Sequence, residues 1–98
     1  MDTAKKLMAV AISDRRKIQN LGKPAASVLR IHDVLLKTPI LSMKKAAQAT
    51  GISFTTVASS FKHLQKLGLV KELTGNQRNR FFGYDGYIAV LSEGPAEF

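Results

Sequence analysis

Apolar residues recur along this chain first at the spacing of helices and then, nearer the C-terminus, at the spacing of strands. The first predicted helix covers residues 3–21, and its apolar side comprises Leu7, Met8, Ala11, Ile12, Ile18 and Leu21. A second predicted helix covers residues 25–37 and is so rich in Val, Ile and Leu that we expect it at the centre of the core. An apolar side as long as that of the first helix must be covered by the core, by a second copy of the chain or by a neighbouring domain.

Residues 42–70 predict two short helices joined by a tight turn. Gly51 is suited to end the first of them, because glycine adopts the left-handed conformation without a Cβ clash. Ser53 is suited to cap the second, since its hydroxyl group can accept a hydrogen bond from a free N–H group of the first turn. The apolar stripe of this second helix comprises Val57, Phe61, Leu64 and Leu67. The pattern predicts a helix-turn-helix whose second helix offers a polar side to a groove.

After Gly68 the pattern becomes that of strands. Two strands are predicted, one at residues 69–73 and one within residues 78–84, with a Gly-Asn turn between them that indicates a β-hairpin. A short extended piece is expected at Ile40 and Leu41. A last helix is expected over residues 85–91, with its inward side formed by Tyr87, Ile88 and Leu91.

Together these elements predict a mostly α fold with a small β-hairpin, namely a winged helix-turn-helix. It would have a three-helix core plus the wing, an additional N-terminal helix and a C-terminal helix. We assign residues 1–22 to the N-terminal helix and linker, residues 23–92 to the winged-helix domain and residues 93–98 to a tail.

The charge of the chain favours an anionic partner. Fifteen Lys and Arg against seven Asp and Glu give a formal net charge of +8 among 98 residues. Such an excess attracts nucleic acid first and acidic membrane surfaces second. The chain has no cysteine and therefore no disulfide or Cys-based zinc site, and no apolar run approaches the roughly 20 residues that span a bilayer. We expect a soluble, cytoplasmic protein with no membrane partner.

Double-stranded DNA is the partner that these features favour. The second helix of the helix-turn-helix would enter the major groove, its lysines flanking the phosphates, while arginines of the wing would bind phosphates or the neighbouring minor groove. The predicted contacts are Lys44, Ser53, Thr55, Thr56, Ser59, Ser60, Lys62, His63, Lys66, Arg78 and Arg80. The polar side of that helix lacks the Arg, Asn and Gln that read bases bidentately, so we expect modest specificity.

Two other features have a structural interpretation as well as a functional one. The basic cluster at residues 15–17 could contact phosphate, but a solvated helix face is the preferred interpretation. His32 has no second His, Cys or carboxylate at the spacing of a metal motif, so we interpret it as a structural or exposed histidine. No cofactor and no small-molecule ligand is indicated.

A family resemblance covers residues 24–91. The wing and the segment after it, TGNQRNRFFGYDGYIAVL, preceded by GISFTTVASSFKHLQKLGLVKE, resemble the C-terminal winged-helix domain of Fic (filamentation induced by cAMP) family proteins. The residues that carry the likeness most specifically are Arg78, Asn79, Arg80, Phe82, Tyr84, Tyr87 and Ile88.

The resemblance implies a parent that attaches AMP to hydroxyl side chains through a His-Pro-Phe segment and a Gly-Asn-Gly-Arg loop. Neither His32 nor His63 precedes Pro-Phe, and Gly75-Asn76 lacks the second glycine, so no catalytic role is carried over. We therefore expect a C-terminal piece of a longer Fic protein and not an enzyme in its own right. The alternative to DNA binding is an interaction module that docks on the Fic catalytic domain, on a target protein or on another copy through the N-terminal helix.

Overall fold

The computed structural model describes residues 2–75 and 80–93, and its elements follow the predicted order. They are α1 (Thr3–Gln19), α2 (Ala25–Lys37), β1 (Ile40–Ser42), α3 (Met43–Thr50), α4 (Phe54–Lys66), β2 (Val70–Glu72), β3 (Phe81–Tyr84) and α5 (Asp85–Glu93). The prediction of a winged helix-turn-helix with extra helices at both ends is confirmed. Among the described residues, no helix is both long and apolar enough to cross a membrane.

The three strands form one antiparallel sheet in the order β1-β3-β2. The predicted hairpin is the β2–β3 pair, in which Val70 lies opposite Tyr84. The extended piece before α3 is also a strand, because Leu41 pairs with Phe82 on the other edge of β3. Strand pairing therefore connects the wing to the segment that precedes the helix-turn-helix.

Helix α2 lies at the centre of the core, as its composition predicts. Val28, Ile31 and Leu35 are fully buried, and α2 packs against α1, α3 and α4. The sheet closes the core from another side, since the ring of Phe82 stacks on that of Phe61 with centroids 4.3 Å apart. Stacked aromatic pairs of this kind add to the free energy of burial itself.

The inward sides of the two terminal helices differ from prediction. Met8 and Ile12 were expected to widen the apolar side of α1, but their side chains are 63% and 51% exposed. Leu91 of α5 was expected to face inward and is also exposed, whereas Val90 is buried. Val90 follows Tyr87 by three residues and lies on the same side of the helix.

The buried side of α1 includes a polar residue, Asp14, as well as the apolar Ile18. Asp14 is buried, and its Oδ2 accepts a hydrogen bond of 2.6 Å from the hydroxyl group of Tyr84. The same hydroxyl oxygen lies 2.8 Å from Nε2 of His32, and Nδ1 of His32 lies 3.2 Å from Nη1 of Arg15. All of these groups are satisfied when His32 is neutral with its proton on Nε2, which then donates to Tyr84 while Nδ1 accepts from Arg15.

Burial shifts the pKa values of His32 and Tyr84 in this network. Burial, followed by the charge of Arg15, lowers the pKa of His32. Burial and the hydrogen bond to Asp14 raise the pKa of Tyr84. Arg15 also donates to Oδ1 of Asp33 at 2.7 Å. The interpretation of His32 as a structural residue is therefore confirmed, and Arg15 has internal partners on α2.

Candidate nucleic-acid interface

Helix α3 ends and helix α4 begins at the residues that the sequence predicts. Gly51 follows α3 with φ +72°, the left-handed conformation, and its N–H donates to the carbonyl oxygen of Ala47. Ser53 caps α4, because its Oγ accepts a hydrogen bond of 3.3 Å from the N–H of Thr56. These caps satisfy backbone groups that would otherwise lack partners, and they fix the start of α4.

Further hydrogen bonds hold the turn against the core. The guanidinium of Arg30 on α2 donates to the carbonyl oxygen of Thr50. The hydroxyl group of Thr50 donates to Ala46 O at 2.7 Å and accepts from the N–H of Ile52 at 3.2 Å. The bond from Arg30 therefore joins the end of α3 to α2, and the bond from Ile52 joins the turn to α3.

The exposed side of α4 carries hydroxyl groups and lysines. Thr55, Ser59, Lys62 and Lys66 are all exposed. Their spacing of four, three and four residues places them in one stripe along the helix. The opposite side of α4 is buried and consists of Val57, Ser60, Phe61 and Leu64. The structure thus brings four of the predicted contact residues together on one solvent-facing stripe.

Ser60 was expected on the exposed side and is instead only 2% exposed. It follows Val57 by three residues and precedes Leu64 by four, so the helical period places it on the buried side. The prediction that Ser60 contacts DNA is therefore wrong, because its side chain is buried. Ser60 lies in the interior between two core residues.

The remaining α4 candidates lie at the start or along the flank of the exposed stripe. The hydroxyl groups of Ser53 and Thr56 lie 3.0 Å apart and hydrogen-bond to each other in the cap of α4. Thr56 and His63 are half-buried. These three side chains border the stripe rather than forming its centre.

Lysines extend the positive surface beyond α4. Lys44, a predicted contact, is exposed on α3. The segment between Asp33 and Glu72 contains neither Asp nor Glu, and its six lysines are Lys37, Lys44, Lys45, Lys62, Lys66 and Lys71. A continuous stretch without acidic residues that includes the whole helix-turn-helix provides a positive field around it.

In the wing, the guanidinium group of Arg80, a predicted DNA contact, already has partners within the protein. Nη2 of Arg80 lies 2.7 Å from Oε1 of Glu72 across the hairpin, and its guanidinium lies 5.4 Å from the ring centroid of Phe82. The hydrogen bond between Arg80 and Glu72 lowers the pKa of Glu72 and raises that of Arg80. The charge of Arg80 is therefore compensated within the hairpin. Arg78 lies outside the described residues.

The base of the wing is joined directly to α3. The N–H of Met43, the first residue of α3, donates to the carbonyl oxygen of Arg80 at 3.1 Å. The backbone of Arg80 therefore lies beside Met43, and Lys44 is the next residue along α3. The prediction that the wing and the outward side of α4 meet a polyanion together stays a prediction.

The sequence interpretation missed one exposed residue of α4. Phe54, the first residue of the helix, is 58% exposed. Phe54 precedes Val57 by three residues and Phe61 by seven, so the helical period groups it with the apolar stripe and does not predict its exposure.

The comparison with protein families agrees with this geometry. Residues 26–71 match the model of a family described as winged helix-turn-helix DNA-binding. The matched segment runs from α2 to β2 and so contains both helices of the helix-turn-helix. Over these residues the chain is similar to that family, and its elements have the arrangement of a winged helix-turn-helix. The comparison with curated proteins found no match.

Proposed function

We propose that this chain binds double-stranded DNA through α4 and acts as a transcription-regulatory domain. The observation that carries the proposal is the exposed stripe of Thr55, Ser59, Lys62 and Lys66 on a helix whose start is fixed by caps. The family match over residues 26–71 supports the same class of ligand. In helix-turn-helix proteins the second helix lies in the major groove, and its N-terminal residues contact base edges.

The chemistry of the stripe changes along α4. Hydroxyl groups at Thr55 and Ser59 can donate to or accept from base edges and phosphates, whereas the ammonium groups of Lys62 and Lys66 suit phosphate oxygens. Binding of lysines to phosphates releases counterions, so affinity falls as salt increases. We infer that most of the binding free energy is electrostatic.

A salt titration of duplex DNA binding tests the proposal. Fluorescence anisotropy of a labelled duplex would be measured at several salt concentrations with the native chain, Lys62→Ala and Lys66→Ala. The plot of log K against log salt should be linear, and each substitution should reduce the magnitude of its slope by about one. Arg80→Ala should change the slope less, because Arg80 is paired with Glu72.

Lys5→Ala is the matched control, because it removes the same charge from an exposed position on α1, which packs on α2 and α5. Its slope should equal that of the native chain. If Lys5→Ala and Lys62→Ala reduced the magnitude of the salt slope equally, only the net charge of the chain would matter. The absence of duplex binding at low salt would refute the proposal.

An interaction module is the second candidate, and one surface favours it. The outer face of the sheet carries three exposed apolar side chains, those of Ile40, Leu73 and Phe81. Such a face is typical of sites that bind other proteins. A partner of this kind would be the Fic catalytic domain, a target protein or another copy of the chain.

A homodimer through α1 is a further proposal, supported by the exposed pair Met8 and Ile12. Removal of residues 1–21 would also remove Asp14 from its contact with Tyr84, so substitutions are the better test. Sedimentation should show the native chain as a dimer and Met8→Lys/Ile12→Lys as a monomer. A native chain that sediments as a monomer would contradict the proposal.

We also propose that the domain belongs to a cytoplasmic Fic protein. The support is the resemblance of residues 24–91, carried by residues 78–80 and by the segment after the wing; the family match at residues 26–71 adds nothing on this point. The coding sequence upstream of Met1 is the test. An in-frame His-Pro-Phe segment is expected there, and an unrelated upstream domain would contradict the parentage.

A further inference from the structure

Phe54 is more exposed to solvent than is favourable for an apolar aromatic side chain. It is the one large apolar side chain exposed on either α3 or α4, both of which the structure describes in full, and 58% of its surface is in solvent. A phenylalanine left in water forgoes the favourable free energy that its burial would contribute. A contiguous exposed apolar patch that is rimmed by polar residues often marks a binding surface.

The position of Phe54 is fixed by its neighbours. It follows Ser53, whose hydroxyl group caps α4, and it lies three residues after Gly51, which ends α3 in the left-handed conformation. Phe54 is also followed at the i+4 position by Ala58, whose methyl group is half-buried. The first turn of α4 therefore has an apolar flank, formed by Phe54 and Ala58, beside the hydroxyl groups of Thr55 and Ser59.

Polar groups for bidentate base readout are scarce on this helix. α4 contains no Arg and no Asn, and its single Gln, Gln65, lies one residue before the helix ends. An apolar side chain in the major groove recognises the C5-methyl group of thymine, which no other standard base presents there. The first turn is the part of the helix that meets base edges in this fold class.

We propose that Phe54, together with Ala58, reads thymine methyl groups in the major groove and so makes A·T pairs the preferred contact of this domain. This inference rests on the proposed binding of DNA through α4. It names the base chemistry of that same site, where Lys62 and Lys66 provide affinity and Phe54 provides discrimination. The same contact accepts the methyl group of 5-methylcytosine, which occupies the equivalent place on a G·C pair.

Removal of the methyl group from DNA tests the contact without changing the protein. Two duplexes of alternating A·T pairs, about two helical turns long, would be compared, one with thymidine and one with deoxyuridine throughout. The native chain should bind the thymidine duplex about four-fold more tightly for each methyl group that is buried. In a G·C duplex, replacement of cytosine by 5-methylcytosine should increase affinity in the same way.

Variants then assign the discrimination to Phe54. Phe54→Ala should bind both A·T duplexes with nearly equal affinity while it keeps the native salt slope, and Phe54→Leu should retain part of the preference. Phe81→Ala is the matched control, because it removes the same side chain from an exposed position on β3, outside the helix-turn-helix. It should keep the full preference for thymidine.

The outcomes separate this inference from the function on which it rests. Salt-dependent duplex binding with equal affinity for thymidine and deoxyuridine overturns the role of Phe54 and leaves DNA binding intact. A preference for thymidine that survives in Phe54→Ala overturns it as well. Failure to bind either duplex at low salt refutes the DNA-binding proposal itself.

Discussion

At the scale of single residues, one hydroxyl group joins three elements. Tyr84 of β3 donates to Asp14 of α1 and lies within hydrogen-bonding distance of His32 of α2. Its ring is fully buried and lies edge-on to the His32 ring at 5.3 Å between centroids. Loss of the hydroxyl group would remove the hydrogen bond to the buried carboxylate of Asp14 and leave it only the ammonium group of Lys17, 3.9 Å away, which is unfavourable because buried charges require hydrogen-bonding partners.

Tyr84→Phe should therefore lower the free energy of unfolding by about 1–3 kcal/mol, measured by urea denaturation. Tyr87→Phe is the matched control. Its ring stacks on Tyr84 with centroids 5.2 Å apart, but its side chain is half-buried and lies outside the chain of hydrogen bonds from Asp14 to His32. The control should change stability by less than about 0.5 kcal/mol. Equal effects of the two substitutions would contradict a structural role for this hydroxyl group.

At the scale of elements, the turn between α3 and α4 determines how α4 is presented. Gly51 has φ +72°, and a Cβ atom there would meet nothing within 4 Å. The unfavourable effect of a side chain at Gly51 is therefore conformational rather than steric. For an L-residue the left-handed conformation is disfavoured by roughly 1–2 kcal/mol.

Gly51→Ala should lower stability by that amount, about 1–2 kcal/mol, in thermal or urea unfolding. Gly86→Ala in α5 is the control, because Gly86 has no positive φ and its Cβ would meet Val10 at an ordinary contact distance of 3.4 Å. Alanine is the better helix former, so this variant should be unchanged or slightly more stable. A Gly51→Ala protein as stable as the Gly86→Ala protein would show that the turn does not require the left-handed residue.

The sequence predicted the elements whose signals are local. The bounds of α2, the caps at Gly51 and Ser53 and the β2–β3 hairpin all follow from spacing and residue type within a few positions. Features that depend on distant partners were not predictable in this way. Asp14 and Tyr84 are 70 positions apart, and their contact places a polar residue on the buried side of α1.

Among the candidate site residues the same distinction applies. The stripe of Thr55, Ser59, Lys62 and Lys66 follows from helical period alone. The period also places Ser60 inside, which the sequence interpretation overlooked by grouping it with its polar neighbours. The pairing of Arg80 with Glu72 depends on the register of the hairpin, which the sequence did not define.

At the scale of the whole molecule, charge is distributed unevenly along the chain. The segment between Asp33 and Glu72 is free of acidic residues, whereas residues 83–98 contain three acidic residues and no basic ones. The positive field therefore arises largely from other parts of the chain, including the helix-turn-helix. Such an asymmetry orients a polyanion during its approach and increases the association rate at low salt.

The most direct test of the central claim, that α4 contacts DNA with its exposed stripe, is a map of amide chemical-shift changes when a short duplex is added to the isotope-labelled chain. We predict that the largest changes fall on Phe54–Lys66 and on the first residues of α3, and that Thr3–Gln19 changes little. Changes concentrated on α1 and α5, or on the outer face of the sheet, would contradict it.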